Sequence, residues 1–177
     1  MKNGIILGKF MPLHLGHEHL INTAIASCDH LTIVVCTLSI EPIPGHLRFN
    51  WMKQRYTKEI ADNKVNVVHL REEWMPQDPD DCYSKEIFYA VWAATLKTLA
   101  KEKINAIFTS EYYGYPVAKA LECEHILVDV DRKTVPVSGT KVRNNPDDYL
   151  KYLNPEVRKY FTMDVSEYDK EDINYRS

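Results

Sequence analysis

The 177-residue sequence has no Cys-x-x-Cys pair, and its four cysteines, Cys28, Cys36, Cys82 and Cys123, lie far apart with no histidine at zinc-like spacing. That argues against a protein-bound metal module and fits a reduced, intracellular chain. No long basic block occurs, and 22 Lys and Arg against 25 Asp and Glu leave a net charge of −3, so nothing supports a nucleic-acid partner. Small anionic ligands stay open, because a few focused cations suffice for them. The apolar run in "MKNGIILGKF" is too short for a signal peptide, and no stretch approaches the ~20 apolar residues of a membrane helix. The expectation is a cytoplasmic protein with no membrane partner. Internal repeats and low-complexity tracts are absent too.

What remains is ordinary in apolar content and long enough for one buried core. Short β-branched runs, "GIILG", "LTIVVCT", "VNVVHL", "INAIFTS" and "HILVDV", alternate with helical patterns over Leu15 to Ala26, Leu47 to Ala61, Ser84 to Lys101 and Pro116 to Leu121. Continuous apolar strands alternating with helices predict an α/β fold, a doubly wound parallel sheet of about five strands with flanking helices. One domain is expected over residues 1–161, followed by a polar, acidic tail over 162–177. The stretch "REEWMPQDPDDCY", Arg71 to Tyr83, is a long irregular connection of the kind that often carries function.

Ligands of open parallel sheets bind beyond the carboxyl ends of the strands, where the strand order reverses. "GKFMPLHLGHEHL", Gly8 to Leu20, follows the first strand directly. Gly8 permits a tight exit, Pro12 stiffens the loop, and the free amides of the next helix attract anions. His14 and His17, three apart, are expected on one face of the first helical turn, with His19 pointing elsewhere. A cationic imidazole is disfavoured there, which predicts neutral donors unless a nearby phosphate restores the charge. Two readings of His17 fit: a ligand, or a hydrogen-bonded residue bordering the core beside Leu20, Ile21 and Ala24. His19 and His30 are read as structural or solvent-exposed.

In "VPVSGTKVRNNP", Ser138 is placed to cap a short helix, with Thr140 in its first turn, Arg143 on the same face and Pro146 limiting its length. Hydroxyls, amides and a guanidinium could surround a polyphosphate. Taken alone, the segment reads better as a capped surface helix with a solvated arginine.

The two segments together resemble the nucleotidyltransferase superfamily with a Gly-x-Phe-x-Pro-x-His-x-Gly-His motif near the N-terminus and a Ser-Ser/Gly-Thr-x-x-Arg motif near the C-terminus. Within it, "GKFMPLHLGH", "TSE" and "ILVDVDRKTVPVSGTKVRNNP" leading to "VRKYF" are similar to the NadR-type nicotinamide mononucleotide adenylyltransferase domain, over about residues 3 to 161. The resemblance implies that ATP and nicotinamide mononucleotide give NAD and pyrophosphate, with Mg2+ carried by ATP. It implies catalytic roles for His17, His14 and Arg143. It places Gly8, Lys9, Phe10, Gly16, Ser138 and Thr140 on ATP, with Thr109, Ser110 and Glu111 at the adenosine. The family often has arginine where this chain has His46; Arg48 is either its substitute or serves elsewhere. For the nicotinamide base, Trp92 in an aromatic stripe with Phe88 and Tyr89 is the expected stacking partner, and Trp74 and Met75 are expected to close over it. Related acceptors, nicotinic acid mononucleotide or phosphopantetheine, and a noncatalytic nucleotide sensor are the alternatives. A homo-oligomer is expected from the resemblance.

Overall fold

Continuous apolar strands need cover on both faces, and the computed structural model supplies it; it describes residues 1–163. The elements are β1 (Asn3–Gly8), α1 (Leu15–Ser27), β2 (His30–Cys36), α2 (Gly45–Arg55), α3 (Thr57–Ala61), β3 (Val65–Leu70), α4 (Lys85–Ala100), β4 (Ala106–Thr109), α5 (Gly114–Leu121), β5 (Glu124–Leu127), α6 (Gly139–Asn144), α7 (Pro146–Tyr149) and α8 (Pro155–Thr162), with 3-10 turns at Pro79–Asp81 and Leu150–Tyr152. The tail expected over 162–177 lies, apart from Thr162 and Met163, outside the described residues.

The five strands are parallel in the order β3-β2-β1-β4-β5. The chain builds outward from β1 through β2 to β3, then returns to the other side of β1 for β4 and β5. The order therefore reverses between β1 and β4, leaving a crevice at their carboxyl ends. Alternation along β1 sends Ile6 into one apolar layer with Leu20, Ile21, Ile33 and Phe108, and Ile5 into the other with Val34, Phe88, Trp92 and Ile107. No described helix is long and apolar enough to cross a membrane.

The helix expected over Leu47 to Ala61 is instead two, divided at Tyr56, whose backbone leaves helical geometry (φ −113°, ψ 27°) while its side chain is fully buried. The Thr57 hydroxyl returns to the Lys53 and Gln54 carbonyls at 3.0 and 2.9 Å, a local bond that competes with the helical ladder. Apolar periodicity carries no sign of that break.

Candidate active site

The first loop is held from beneath. Arg48 of α2 is fully buried, and its guanidinium donates to the Lys9 carbonyl (2.7 Å), the Cys36 carbonyl (3.3 Å) and the Glu41 carboxylate (2.5 Å). Glu41 also pairs with the Lys9 ammonium at 2.8 Å and accepts from the Leu38 amide at 2.9 Å. Burial alone would raise the Glu41 pKa, but the bonds from Lys9, Leu38 and Arg48 bring it below its ordinary value. Such a buried charge persists only because it is paired. Arg48 is thus a strut under the loop, and the Lys9 side chain is turned toward Glu41 while its carbonyl is fixed.

Above that strut, Phe10 adopts a positive φ of 45°, uncommon for a residue with a Cβ, and buries its ring edge-on to His17 with centroids 5.0 Å apart. His14 is not inside the first turn, as the spacing suggested. It is the N-cap of α1, with extended backbone, and its Nδ1 accepts the His17 amide at 3.3 Å. The two rings nevertheless stack, with centroids 3.7 Å apart and planes 15° off parallel. With Nδ1 an acceptor, the proton of a neutral His14 sits on Nε2, leaving that atom as the donor.

Burial, then the Arg132 guanidinium, lowers the His14 pKa to about 4. For His17, burial acts first, followed by the charges of His14 and Arg132, with the Pro12 carbonyl opposing; the result is well below the ordinary value. Both imidazoles are neutral at pH 7, the state that the charge argument anticipated. His17 Nδ1 is also buried without a hydrogen-bond partner among the described residues. His30, by contrast, lies 2.9 Å from the Asn63 carbonyl through Nδ1, a structural contact.

The second motif docks onto the first. Ser138 caps α6 by accepting the Lys141 amide at 3.3 Å. Arg143 donates to the Met11 carbonyl at 2.5 Å and reaches the Thr140 hydroxyl at 3.4 Å. A Cβ on Gly139 would stand 2.5 Å from the Met11 carbonyl oxygen, so only glycine permits this approach. Gly16 is tight as well, since a Cβ there would meet the His14 ring at 3.1 Å.

The crevice is a cavity of about 740 Å³, within the usual range for small-molecule sites. Of the residues expected on ATP, Gly8, Lys9, Phe10, Gly16, Ser110, Glu111, Ser138 and Thr140 line it, together with His14, His17 and Arg143. Thr109 does not. It is buried behind the wall, where its hydroxyl donates to the Glu111 carbonyl at 2.7 Å and lies 2.8 Å from His125 Nε2, shaping the turn that presents Ser110 and Glu111.

At the α4 end, Trp92 and Tyr89 line the cavity, and the Trp92 indole donates to the Pro76 carbonyl at 3.0 Å. Trp74 and Met75 are not brought to this wall. Trp74 is 65% exposed, its indole bonded to the Glu72 carboxylate at 2.8 Å. Met75 is buried in the core and accepts from the Thr95 hydroxyl at 3.5 Å; it borders only a very small neighbouring cavity shared with Trp92. A flexible thioether fills the gap under the loop, which sends the adjacent indole outward.

The sequence reading missed Arg132 and Asp129 on the wall. Both have positive φ, 52° and 48°, and the Asp129 carboxylate accepts the amides of Lys133, Thr134 and Val135 at 2.9, 3.0 and 3.2 Å. The available signal was position: this polar run follows β5 at the carboxyl edge of the sheet.

A crevice at the reversal of a parallel sheet, floored by paired imidazoles and joined to a serine-capped helix bearing arginine, sits in a Rossmann-like fold shared with nucleotidyltransferases. No protein-family model matches the chain. It is 30% identical over 181 residues to the trifunctional NAD biosynthesis/regulator protein NadR of Escherichia coli (strain K12), covering 92% of this chain and 41% of that protein. It therefore spans about two fifths of the length of that relative. A crystal structure of a NadR protein in complex with NAD and AMP-PNP shares the fold, with a TM-score of 0.67 and 22% identity over 90% of this chain and 46% of that one. So does a bifunctional NMN adenylyltransferase/ADP ribose pyrophosphatase from Francisella tularensis, complexed with AMP and a manganese ion, with a TM-score of 0.61 and 18% identity over 98% and 53% of the two chains. The homology to NadR, which extends over 92% of this chain, supports a NadR-type nicotinamide mononucleotide adenylyltransferase domain.

Proposed function

We propose that the domain joins ATP and nicotinamide mononucleotide to give NAD and pyrophosphate. One observation carries this reading: two motifs more than 120 residues apart meet through the Arg143–Met11 bond around a stacked, neutral histidine pair. The mononucleotide phosphate is ionised at neutral pH, so its oxygen attacks the ATP α-phosphorus without a catalytic base. The bond from that phosphorus to the bridging oxygen breaks, and pyrophosphate leaves. Positioning and electrostatic stabilisation then supply the rate.

In this reading His14 and His17 donate to oxygens of the reacting phosphate, and their neutrality makes them donors that need no proton uptake. Arg143, Ser138 and Thr140 hold the departing pyrophosphate, while the amides at the start of α1 receive the remaining oxygens. Adenosine lies along the Ser110–Glu111 turn, and the nicotinamide ring lies toward Trp92 and Tyr89. Among the described residues no group of three His, Cys, Asp or Glu side chains could hold a metal ion. Magnesium is assigned to the incoming ATP, and no step is routed through it; the manganese ion in the Francisella tularensis structure supports use of a divalent metal.

The test is dinucleotide formation from ATP and magnesium with nicotinamide and nicotinic acid mononucleotides supplied in parallel and products separated by chromatography. Preferential NAD formation supports the proposal. Preference for the acid form reassigns the base pocket, and no product from either acceptor removes the reading.

A further inference from the structure

Three cations stand around the cavity, and they are unequally committed. Lys9 is paired with Glu41 at 2.8 Å, and Arg143 is bound to the Met11 carbonyl and the Thr140 hydroxyl. Arg132 is held only loosely: one guanidinium nitrogen lies 3.5 Å from the Glu111 carboxylate and another 3.4 Å from the Val137 carbonyl. Both distances sit at the outer edge of useful contact. The side chains of Arg132 and Glu111 are 41% and 58% exposed, and an ion pair that open contributes little. A phosphate oxygen pair offers a guanidinium shorter, bidentate bonds.

Position adds to this contrast. Glu111 comes from the turn after β4 and Arg132 from the loop after β5, so their contact ties together two segments that both line the cavity. The Asp129 carboxylate, which grips three amides of the same loop, is occupied and offers Arg132 no competing partner. Asp131 and Lys133, which flank Arg132, are paired with each other at 2.8 Å, and the charge of Arg132 is felt by His14 and His17.

From this geometry we infer that Arg132 is an exchangeable anion ligand. Glu111 holds its guanidinium over the cavity until the polyphosphate of a nucleotide takes that place. The inference rests on the proposed use of ATP, and it gives Glu111 a role that the resemblance does not: its carboxylate competes with the substrate for Arg132, while its backbone remains available to adenosine. Removing Glu111 should therefore tighten anion binding, the opposite of what loss of a substrate contact does.

The experiment is isothermal titration of the purified chain with inorganic pyrophosphate and, separately, ATP, with melting curves as the control for folding. Glu111→Gln should bind pyrophosphate about threefold more tightly, the scale of an exposed ion pair. Arg132→Ala should bind it roughly tenfold or more weakly, and Arg132→Lys should recover part of that loss. The decisive arm is the double variant: Glu111→Gln should confer no gain when Arg132 is alanine. Weaker pyrophosphate binding by Glu111→Gln overturns the inference. So does a gain of equal size in both backgrounds, which would mark a diffuse charge effect. Because no acceptor is present, a chain that forms no NAD but shows this pattern keeps the exchange and loses the proposed reaction, whereas NAD formation with unchanged binding by Arg132→Ala does the reverse.

Discussion

At the β1 end of the cavity named polar groups hold one another, Arg48 under Lys9, Nδ1 of His14 on the amide of His17 and Arg143 on Met11, while Nδ1 of His17 is left without a partner among the described residues. At the α4 end the wall is made of aromatic faces, Tyr89 and Trp92, beneath a long connection fastened at Pro76 by one indole bond. On the proposed reaction, the contrast teaches how the two halves of a bisubstrate site are encoded. Phosphate chemistry demands particular donors at fixed places, which leaves a readable motif. A flat base asks only for a flat surface, which many sequences supply.

The largest effect that would break this comparison belongs to the histidine pair. His17→Ala is expected to lower kcat about a hundredfold or more, with the KM for ATP little changed, as removal of a preorganised donor does; steady-state NAD formation measures it. Near-normal turnover would reduce the first end to a binding surface. Next comes the strut. Glu41→Ala leaves the Arg48 guanidinium buried with its main counter-charge gone, and should cost about 3 kcal/mol in chemical denaturation.

Smaller effects sharpen the contrast. Trp92→Ala should raise the KM for the mononucleotide roughly tenfold while leaving that for ATP alone, on the scale of a lost aromatic contact and its burial. Trp74→Ala, on an exposed side chain away from the cavity, should shift the same constant by less than about twofold. Equal effects from the two substitutions would mean that the connection folds over the base when acceptor binds.

Acid separates the ends as well. His14 is lowered to about 4 from its ordinary 6.5, so between those values the unfolded chain binds a proton that the folded chain does not. Its contribution to stability is full above about pH 6.5 and is lost as the pH falls toward 4. His69, also lowered to about 4 by burial first and then by Arg71, Arg48 and His46, adds a slope of the same sign from the edge strand β3. Melting temperature measured from pH 7 to pH 4.5 should fall, and the fall should be shallower in His14→Gln.

The strand and helix pattern made the sheet legible, because parallel strands buried on both faces cannot hide their β-branched runs. The two motifs were legible for a chemical reason: Gly16 and Gly139 stand where a Cβ would strike a neighbour, and Ser138 stands where α6 needs a cap. Arg48, named only as an unassigned alternative, is indistinguishable in sequence from a solvated arginine, since its burial depends on Glu41 and on carbonyls from two other segments. Arg132 was invisible for the same reason, lying in a polar run whose shape comes from Asp129 gripping its own loop. Trp74 and Met75 show the limit from the other side. In an irregular segment, no periodicity says which neighbour turns inward.

The bond between Arg143 and Met11 spans 132 positions of chain, and it closes a site whose remaining walls include Cys36 at the end of β2, the segments after β4 and β5, and α4. Loop closure of that length is a late, entropically expensive event, made only after local structure has accumulated. An emerging polypeptide that has not yet released α6 would carry its histidines on a finished strand and helix and still lack the partner that fixes Met11. Competence for polyphosphate would then arrive abruptly, as one of the final acts of folding, and a ligand that grips both motifs would act as a clamp on the whole sheet, registering in hydrogen exchange at β4 and β5 as much as in the loops it touches.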